Sequence, residues 1–573
     1  MTATPPDPIP STTPGPAAMP DSIPAASPGP TPAATPGPGA TAPTLEFPSG
    51  LPIGESWLEA PTTAPVHFPY DGSVVAQAPV GDTDLAHQAL ENALSVRSQV
   101  GHLPSYTRRS ALQGALSAVS AKREQFIDLL ILETGKPRVD CEVELDRTLL
   151  TLQTAAEEVA RLHGETVPLD LLPSGENLIG FWVRRPIGVV VGITGFNYPL
   201  LLAAHKIAPA LAAGCPVIVK PAPQTPLATL WLVHLFREAL ATAGAPKSAV
   251  QLITGGVDVG SALTTDRRIG AVSFTGSAAV GHQIARDAAP TKVLLELGSN
   301  SALVVAEDAD LAAAADAVVR GGYYASGQAC ISVQRVIVVE SVRAAFLAEL
   351  TPRLDAVKVG DPRESATRVS ALIDERSTTR VNRWIDEAVT AGATLAHQTQ
   401  VAQGNSSPST GQAAQGNSNP SAGQAAQGNS RGLVAEQVAS TPDPVAGGEH
   451  QPRPIIGPTV LLDLPHGQQA WDEEIFGPVI AVRSVPDVES AFQVVNDTRY
   501  GLHAAVFTSS LATAFAAIDQ LDVGGVVVNE VPGFRSDVMP YGGVKDSGTG
   551  REGPRFAIEE LTTTRMAIIR PNP

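Results

Sequence analysis

Hydrophobic residues along the chain alternate between the spacing of helices and that of strands. Apolar positions recur at helical spacing over Ala86–Val119, with a break at 101–104, and again over Ser120–Thr134. The second stretch is expected to stop at Gly135, which is followed by a lysine and a proline. The β-branched run Ile187–Thr194 instead predicts a buried strand.

Further along, strands and helices follow one another in the same manner. One helix is predicted to end at Ala213 and another to span Thr225–Ala243, with strands at Pro216–Val219, Val250–Thr254, Ile269–Phe274 and Val293–Leu295. The second half of the chain also alternates strands with helices, and its strands are predicted at Ala302–Val305, Val333–Val339 and Val526–Val528. This alternation predicts an α/β fold made of two parallel-sheet units covered by helices.

Two segments differ in composition from the rest. Residues 1–44 are rich in proline, alanine, threonine and serine and almost uncharged, which predicts a disordered tail because little apolar surface is available to offset the entropy of ordering. Residues 398–450 contain a polar 12-residue repeat that starts at 403 and again at 415. We interpret them as a low-complexity surface insertion, since long loops add little closure entropy.

Charge and cysteine content narrow the class of protein. The 573 residues carry a net charge of −18, which argues against nucleic-acid binding because that requires a basic surface. No apolar run of about 18 residues and no secretory signal are found, so we expect neither a membrane partner nor export. The three cysteines lack metal-ligand spacing, so no metal site is expected, and a reducing cytoplasm is the simplest location.

Three residues are candidates for covalent catalysis. Cys330 could be a nucleophile, although a free cysteine is more often a small buried hydrophobic residue. Glu296 ends a hydrophobic strand beside a glycine, where it could act as a base or cap a helix. Asn197 could donate its side-chain amide to an oxyanion or simply stabilise a turn. A thiol that reacts near neutral pH also requires a site that lowers its pKa from about 8.5.

Six motifs occur in an order that resembles the aldehyde dehydrogenase superfamily. They are GFNYP (195–199), KPAPQTP (220–226), SFTGS (273–277), LELGSN (295–300), GQACIS (327–332) and EEIFGPV (473–479). The resemblance covers about 50–400 and 453–570. It implies an aldehyde dehydrogenase-like α/β fold with two Rossmann-type parallel-sheet domains and a small β oligomerisation arm, and it implies NAD(P)-dependent oxidation of an aldehyde to a carboxylic acid.

The resemblance also implies a role for each of the three candidates. Cys330 attacks the aldehyde carbonyl, and the resulting oxyanion is held by the side-chain amide of Asn197 and the backbone N–H of Cys330. Hydride transfer then leaves a thioester on the sulfur. Water activated by Glu296 hydrolyses that thioester and releases the acid.

The implied cofactor is NAD or NADP. Lys220 resembles the residue that binds the adenosine ribose, and Ser277 resembles one that binds the pyrophosphate at a helix N-terminus. Glu474 and Phe476 resemble the pair that anchors the nicotinamide ribose and ring. The other expected cofactor contacts are Pro223, Gly256, Gly260, Phe274, Thr275, Gly276, Leu297 and Gly298. Pro223 stands where NAD-preferring members often carry a glutamate, so we expect neither cofactor to be excluded.

Motifs around the nucleophile and at 534–553 resemble a branch that holds lactaldehyde-type and phosphonate- or sulfonate-bearing aldehyde dehydrogenases. Members of this branch that take anionic aldehydes supply arginines to the pocket. Ala329 and the Cys-Glu pair at 141–142 depart from that pattern, which weakens the prediction of an anionic substrate. His205 and Arg535 remain candidate substrate contacts, with a buried helix histidine and a surface arginine as the structural alternatives.

Domain boundaries are expected as in the family: a cofactor domain over 45–172 and 187–295, an oligomerisation arm over 173–186 and 541–573, and a catalytic domain over 296–540. A hairpin near 173–186 and a strand near 562–570 should form the arm. Because an exposed sheet edge is best covered by a partner, a homodimer or homotetramer is expected.

Other functions remain open from the sequence alone. An acylating enzyme would transfer the thioester to coenzyme A and would not need Glu296 as a base. A non-catalytic structural protein on the same fold would be signalled by loss of the nucleophile or the base. A simple thiol esterase would use Cys330 without a nicotinamide cofactor. Cofactor-dependent absorbance during turnover distinguishes these functions.

Overall fold

The computed structural model describes residues 47–399, 453–465 and 467–571. The tail predicted at 1–44 lies outside the described residues, and so does the predicted insertion from residue 400 to residue 450. Among the described residues, no helix has both the length and the apolar character needed to cross a bilayer.

The helices are numbered in chain order. They are α1 (Thr83–Gly101), α2 (Ser105–Ala121), α3 (Arg123–Thr134), α4 (Arg138–Glu158), α5 (Pro199–Ala213), α6 (Leu227–Thr242), α7 (Val257–Thr264), α8 (Ala278–Ala288), α9 (Leu311–Tyr323), α10 (Arg343–Asp355), α11 (Glu375–Thr390), α12 (Gln469–Asp472), α13 (Val488–Asn496), α14 (Leu511–Gln520) and α15 (Pro554–Glu560).

The strands are numbered in the same way. They are β1 (Leu51–Ile53), β2 (Ser56–Leu58), β3 (Thr62–His67), β4 (Val74–Val80), β5 (Glu165–Val167), β6 (Ile179–Pro186), β7 (Val190–Ile193), β8 (Val217–Lys220), β9 (Val250–Leu252), β10 (Ala271–Thr275), β11 (Lys292–Glu296), β12 (Ala302–Val305), β13 (Arg335–Val339), β14 (Thr394–Gln398), β15 (Thr459–Leu462), β16 (Val479–Val485), β17 (His503–Phe507), β18 (Gly525–Val528), β19 (Gly548–Thr549) and β20 (Thr562–Ile569).

The first large sheet has the strand order β19-β11-β10-β7-β8-β9. Strands β7 to β11 pair in parallel, and β19 adds to the edge in the antiparallel direction. The order reverses between β7 and β10, because β8 and β9 follow on one side and β10 and β11 on the other. Ligands in open α/β sheets bind at the carboxyl ends of the strands beside such a switch point.

The second large sheet has the strand order β14-β15-β16-β13-β12-β17-β18. All of its pairs are parallel except β14 with β15. A third sheet, β20-β6-β5, is antiparallel and small. Separate apolar clusters cover the two faces of the second sheet, and a single large cluster surrounds the first.

The predicted α/β class with parallel sheets is confirmed. The helical pattern broken at 101–104 corresponds to α1 and α2, and α3 ends at Thr134 as predicted. Gly135 ends that helix because it takes the left-handed conformation, with φ of 70°, and its N–H donates to the carbonyl of Ile131 at 2.9 Å. Helix α5 is buried over its whole length, which matches its almost entirely apolar sequence.

The hairpin predicted at 173–186 is wrong. That segment contributes a single strand, β6, which pairs with β5 on one side and β20 on the other. The residues before β6 do not form the other strand of a hairpin, because Pro173–Gly175 is a turn of 3-10 helix. The C-terminal strand predicted near 562–570 is confirmed as β20.

Candidate active site

A cavity of about 280 Å³ opens at the carboxyl ends of the first sheet, beside the switch point. Glu296 is the last residue of β11, and Asn197 lies between β7 and α5. Cys330 enters from the loop between α9 and β13. The three predicted catalytic residues therefore line one cavity, although they come from three separate segments of the chain.

The backbone before Cys330 has an unusual conformation. Ala325, Ser326 and Gly327 have φ values of 48°, 56° and 74°. Left-handed conformations cost non-glycine residues on the order of 1–3 kcal/mol each and persist only where the surroundings hold them. Gly327 is required here, because a Cβ would lie 2.1 Å from the carbonyl oxygen of Gly477. The turn thus delivers Cys330 into the cavity at a fixed position.

The thiol of Cys330 lies 3.2 Å from the hydroxyl of Tyr541. Burial raises the pKa of this thiol to about 11, and the hydrogen bond from Tyr541 and the positive charge of Arg535 only partly offset that effect. The structure thus does not show the lowered thiol pKa that reactivity near neutral pH requires, because burial and the carboxyls of Glu474 and Glu296 oppose ionisation of the thiol.

Glu296 has the properties of a carboxyl group held in its protonated form. Its side chain is buried, and Oε2 has no hydrogen-bond partner among the described residues. Burial, together with the neighbouring carboxylate of Glu552, raises the pKa of Glu296 well above its usual range. A carboxyl whose pKa is raised is better suited to take a proton from water than an ordinary surface carboxylate.

Asn197 is fixed by one hydrogen bond next to the nucleophile. Its side-chain Nδ2 donates to the carbonyl of Gln328 at 2.9 Å. Gln328 is only two residues before Cys330, so the amide of Asn197 and the thiol face the same part of the cavity. This is a suitable position for an oxyanion donor.

Buried charged residues form the wall behind the catalytic residues. Lys206 Nζ donates to Glu552 at 2.6 Å, and Arg535 Nη2 donates to the same carboxylate at 3.1 Å. The positive charge of Lys206, together with the contact of His205, holds the pKa of Glu552 well below its usual range against the effect of burial. Arg535 lines the cavity, and its guanidinium lies 3.6 Å from the centre of the Tyr541 ring.

His205 lies behind the cavity rather than on its surface. Its Nε2 is 3.1 Å from Asp537 Oδ1 and its side chain is 1% exposed, so it contacts neighbouring side chains instead of open space. Asp537 also accepts two hydrogen bonds from Arg147, at 2.9 Å each. Unlike His205, Arg147 does line the cavity.

The predicted cofactor contacts form two groups. Thr275, Gly276, Ser277, Leu297, Gly298, Glu474 and Phe476 line the cavity. Phe274 lies beneath this surface, where its ring would be 2.5 Å from a Cβ on Gly276. Ser299 donates its N–H to Glu474 at 3.0 Å, and burial raises the pKa of Glu474 to about 7.

The second group surrounds Lys220 at the end of β8. The Lys220 side chain passes Gly260 of α7, where a Cβ would be 3.7 Å from its Cδ, and Gly256 precedes that helix. Burial lowers the pKa of Lys220 to about 8, and the negative charge of Asp258 partly restores it. Pro223 is exposed nearby in sequence.

Sequence reasoning missed several residues that line the cavity, among them Arg147, Tyr324, Tyr541 and Glu552. For Arg147 a signal was present. Asp140, Glu144 and Arg147 recur at helical spacing on a face of α4 that is otherwise buried, and polar residues at such positions contact something specific. Tyr541 and Glu552 carry no comparable pattern, since both lie in loops.

The chain was then compared with known proteins. The model of the aldehyde dehydrogenase family matches residues 57–416 and 407–567, which is most of the sequence. The chain belongs to the aldehyde dehydrogenase family. As a member, it is an oxidoreductase that uses NAD or NADP to oxidise an aldehyde to a carboxylic acid.

Relatives of this aldehyde dehydrogenase resemble it over nearly their whole length. The 3-sulfolactaldehyde dehydrogenase of Priestia aryabhattai is 33% identical over 521 residues, which is 91% of this chain and 98% of the relative. Aldehyde dehydrogenase 21 from Physcomitrella patens, solved with its reaction product succinate, has a TM-score of 0.78 and 29% identity over 90% of this chain and 97% of its own.

A third relative carries a cofactor. The glyceraldehyde-3-phosphate dehydrogenase GapN from Methanocaldococcus jannaschii, complexed with NADP, has a TM-score of 0.77 and 29% identity over 89% of this chain and 100% of its own. The predicted superfamily, with its lactaldehyde-type branch, is confirmed by these matches.

Proposed function

We propose that Cys330, Glu296 and Asn197 carry out the oxidation in this aldehyde dehydrogenase. The observation that carries the proposal is their meeting in one small cavity, with the amide of Asn197 bonded to the carbonyl two residues before the thiol. The sulfur of Cys330 adds to the aldehyde carbon, and the Asn197 amide and the Cys330 N–H hold the oxyanion. A nicotinamide held by Glu474 and Phe476 would supply the hydride acceptor, and loss of the hydride from the Cys330 adduct leaves a thioester on the sulfur. Glu296 then takes a proton from the attacking water, and the acid is released.

The residues around the cavity fit a dinucleotide. The hydroxyl of Thr275 is buried with no partner among the described residues, and Ser277 stands at the start of α8. A helix N-terminus favours a pyrophosphate. We assign Lys220, Gly256 and Gly260 to the adenosine end. We assign Glu474 and Phe476 to the nicotinamide end. The ring centre of Phe476 lies 5.7 Å from that of Phe196. On this basis the first sheet is the cofactor domain and the second is the catalytic domain.

Three variants test these roles. Cys330→Ala should abolish NAD(P)H formation while the protein stays folded. Asn197→Ala should slow turnover on the order of 10²–10³-fold, as expected for loss of one oxyanion donor. Glu296→Gln should retain a burst of NAD(P)H and slow the later hydrolysis. If added coenzyme A restores rapid turnover in Glu296→Gln, the acylating alternative is favoured, and steady turnover by Cys330→Ala would contradict the nucleophile assignment.

We further propose that the substrate is a small aldehyde with an anionic group. Arg147 and Arg535 both line the cavity. Arg147 pairs with Asp537 at 2.9 Å, and Arg535 pairs with Glu552 at 3.1 Å and with Asp537 at 3.4 Å. Arginine side chains that reach a cavity are suited to bind a carboxylate or phosphate group. The three relatives support this class, since their names give a sulfonated aldehyde, the dicarboxylate succinate and a phosphorylated aldehyde. The departures from the family pattern at 141–142 and 329 leave both arginines at the cavity.

A paired substrate series tests the class. Succinic semialdehyde and glyceraldehyde 3-phosphate should show kcat/KM values well above those of butanal and glyceraldehyde. Arg147→Gln should raise KM for the anionic member of each pair at least about tenfold, or roughly 1.4 kcal/mol, and leave the neutral member unchanged. Equal effects on both members of a pair would mean that Arg147 serves only the structure.

The chain is proposed to act as a homo-oligomer in the cytoplasm. Leu511, Phe515 and Ile518 are exposed at helical spacing on α14, and Ile568 of the arm is 62% exposed. Apolar surface arranged in this way is typical of an interface, here with a second copy of the chain. Light scattering should give a dimer or tetramer, and Phe515→Glu should shift it toward the monomer. A reducing compartment is proposed because Cys330 must stay free to react.

A further inference from the structure

The left-handed turn before Cys330 is held by a residue from a distant helix. The backbone N–H of Ala325 donates to Asp140 Oδ2 at 2.9 Å. Asp140 lies in the first turn of α4 and is 8% exposed, and Ala325 is fully buried. A buried backbone N–H needs a partner, and the carboxylate of Asp140 supplies one for Ala325.

We propose that Asp140 is a positioning residue for the nucleophile, because its carboxylate holds the turn at Ala325 in the conformation that delivers Cys330 into the cavity. The inference rests on the proposed role of Cys330. Asp140 itself does not line the cavity, so it acts on the reaction through the loop rather than by touching substrate or cofactor.

The same contact reaches the oxyanion site. The N–H of Gln328 donates to the carbonyl of Ala325 at 3.0 Å, and the carbonyl of Gln328 accepts from Asn197 at 2.9 Å. A change at Ala325 therefore moves both the thiol and the group that fixes the Asn197 amide. One hydrogen bond from α4 thus sets the relative position of nucleophile and oxyanion donor.

Other contacts hold the rest of the loop but cannot replace this one. Ser326 Oγ accepts from the N–H of Ser370 at 2.9 Å, and Gln328 Oε1 accepts from the N–H of Ile373 at 3.0 Å. Both involve side chains, which can follow the loop if its backbone shifts. Asp140 instead binds the backbone of Ala325 directly, at the left-handed residue itself.

The charge of Asp140 suits this task. Burial raises the pKa of Asp140 to about 6, while the hydrogen bond from the N–H of Ala325 and the positive charges of Lys136 and Arg368 favour the carboxylate form. A carboxylate near a helix N-terminus is further stabilised by the helix dipole. A charged acceptor binds a backbone N–H more strongly than a neutral one. We therefore expect an amide at this position to retain part of the effect and a methyl group to lose it.

The test compares Asp140→Ala, Asp140→Asn and a matched control, Asp146→Asn. Asp146 lies on the same helix, is exposed and pairs with Arg123 at the surface. Two readouts are needed: the rate at which iodoacetamide alkylates Cys330, followed by mass spectrometry of its peptide, and the rate of the NAD(P)H burst. The first reports the placement of the thiol without turnover, and unfolding temperature is measured beside both.

Asp140→Ala should slow the burst on the order of a hundredfold, as expected for a misplacement of about 1 Å, and should change the alkylation rate as well. Asp140→Asn should stay within about tenfold of wild type because its amide oxygen still accepts the hydrogen bond. The control should match wild type. Adding Ala325→Gly to Asp140→Ala should recover part of the burst rate, since glycine takes positive φ without support.

A folded Asp140→Ala protein with wild-type alkylation and burst rates would overturn the inference, and equal losses in the alanine and asparagine variants would contradict it as well. If Asp140→Ala does not fold, Asp140→Glu replaces it, because it keeps the charge but displaces the acceptor by one methylene. Turnover by Cys330→Ala would instead overturn the proposed function, so the two failures are distinguishable.

Discussion

The carboxylate of Asp537 accepts hydrogen bonds from Nε and Nη2 of Arg147, each at 2.9 Å, although the two residues are 390 positions apart. His205 contacts the same carboxylate, and these partners hold the pKa of Asp537 well below its usual range. The pair ties α4 to the loop that carries Arg535. Removing one member of a buried ion pair leaves the other uncompensated.

Asp537→Asn should therefore reduce the free energy of unfolding by about 3–5 kcal/mol at neutral pH. Because the folded-state pKa is lowered, this stabilisation is complete above the unfolded value of about 3.9 and is lost as pH falls through the lower folded value. Urea unfolding between pH 3 and 7 should show a constant difference between the wild type and the variant at higher pH, and that difference should begin to shrink below pH ~3.9. A difference that does not depend on pH would exclude this origin.

The reactivity of Cys330 should increase with pH well beyond neutrality. Its pKa is raised to about 11, so the alkylation rate should still be climbing at pH ~9, one decade per unit. Tyr541→Phe removes the hydrogen bond that favours the thiolate and should slow alkylation by about tenfold, since such bonds to charged groups contribute about 1.5 kcal/mol or more. Cys141 and Cys215 are buried and serve as unreactive internal controls. Faster alkylation in the variant would show that the hydroxyl stabilises the neutral thiol instead.

Turnover should likewise increase with pH through the titration of Glu296. Burial and the carboxylate of Glu552 raise the pKa of Glu296, so its base form accumulates as pH rises through that raised value. The steady-state rate should rise on the alkaline side in the wild type, whereas the hydrolysis step of Glu296→Gln should lose this dependence. A pH-independent burst-to-steady-state ratio in both proteins would argue for another base.

Both cofactors should support turnover, with kcat/KM values within roughly a hundredfold, or about 2.7 kcal/mol. Pro223 offers no carboxylate to repel a 2′-phosphate, and Pro223→Glu should selectively weaken NADP. Asp258 is the acidic group whose charge acts on Lys220, and Asp258→Asn should favour NADP. A wild type that rejects NADP by more than about a thousandfold would contradict the argument from Pro223.

The affinity for NADP should also depend on pH more steeply than that for NAD. Burial lowers the pKa of Lys220 to about 8, so its positive charge is present below that pH and is lost above it. The dissociation constant of NADP, measured by fluorescence titration, should therefore rise between pH ~7 and ~9. Over this range Lys220 loses its proton, and above its pKa the charged fraction falls about tenfold for each pH unit. Lys220→Met should abolish the difference between the cofactors.

Excision of about 400–448 should leave activity and melting temperature nearly unchanged. The described residues on either side already meet, because Gln398 is paired with Thr459 and the N–H of Thr399 donates to the carbonyl of Pro458 at 3.0 Å. Rejoining them needs only a short connection. Differential scanning fluorimetry and turnover of the excised protein provide the check, and a large fall in either would mean that the segment contacts the body.

The fold could be predicted where a local pattern decides it. The β-branched run at Ile187–Thr194 gave β7, and Gly135 marked the end of α3 because only its own conformation is involved. A common arm built from residues 173–186 and the C-terminal strand was predicted, and β6 does pair with β20, but β5 was not found. Its three residues, Glu165–Val167, show no alternation of apolar and polar positions. They are extended because they pair with the edge of β6.

In the candidate active site, too, local sequence motifs identified some features, whereas others depend on residues distant in sequence. Cys330, Glu296 and Asn197 stand in motifs and were found, but the environment that sets their pKa values comes from residues far away in sequence. Tyr541 and Glu552 raise or lower those values from loops more than 200 residues later. A sequence pattern records neighbours along the chain, whereas burial and Coulomb interactions depend on neighbours in space.

The strands β19 and β20 complete the first sheet and the arm, yet the ribosome makes them only after every strand of the second sheet. During synthesis, therefore, one edge of β11 and one edge of β6 remain unpaired while more than 200 residues are added to the chain. Open edges on a growing chain can pair with another nascent chain. We expect translation speed and chaperone supply to govern the yield of this protein more than the stability of its finished form.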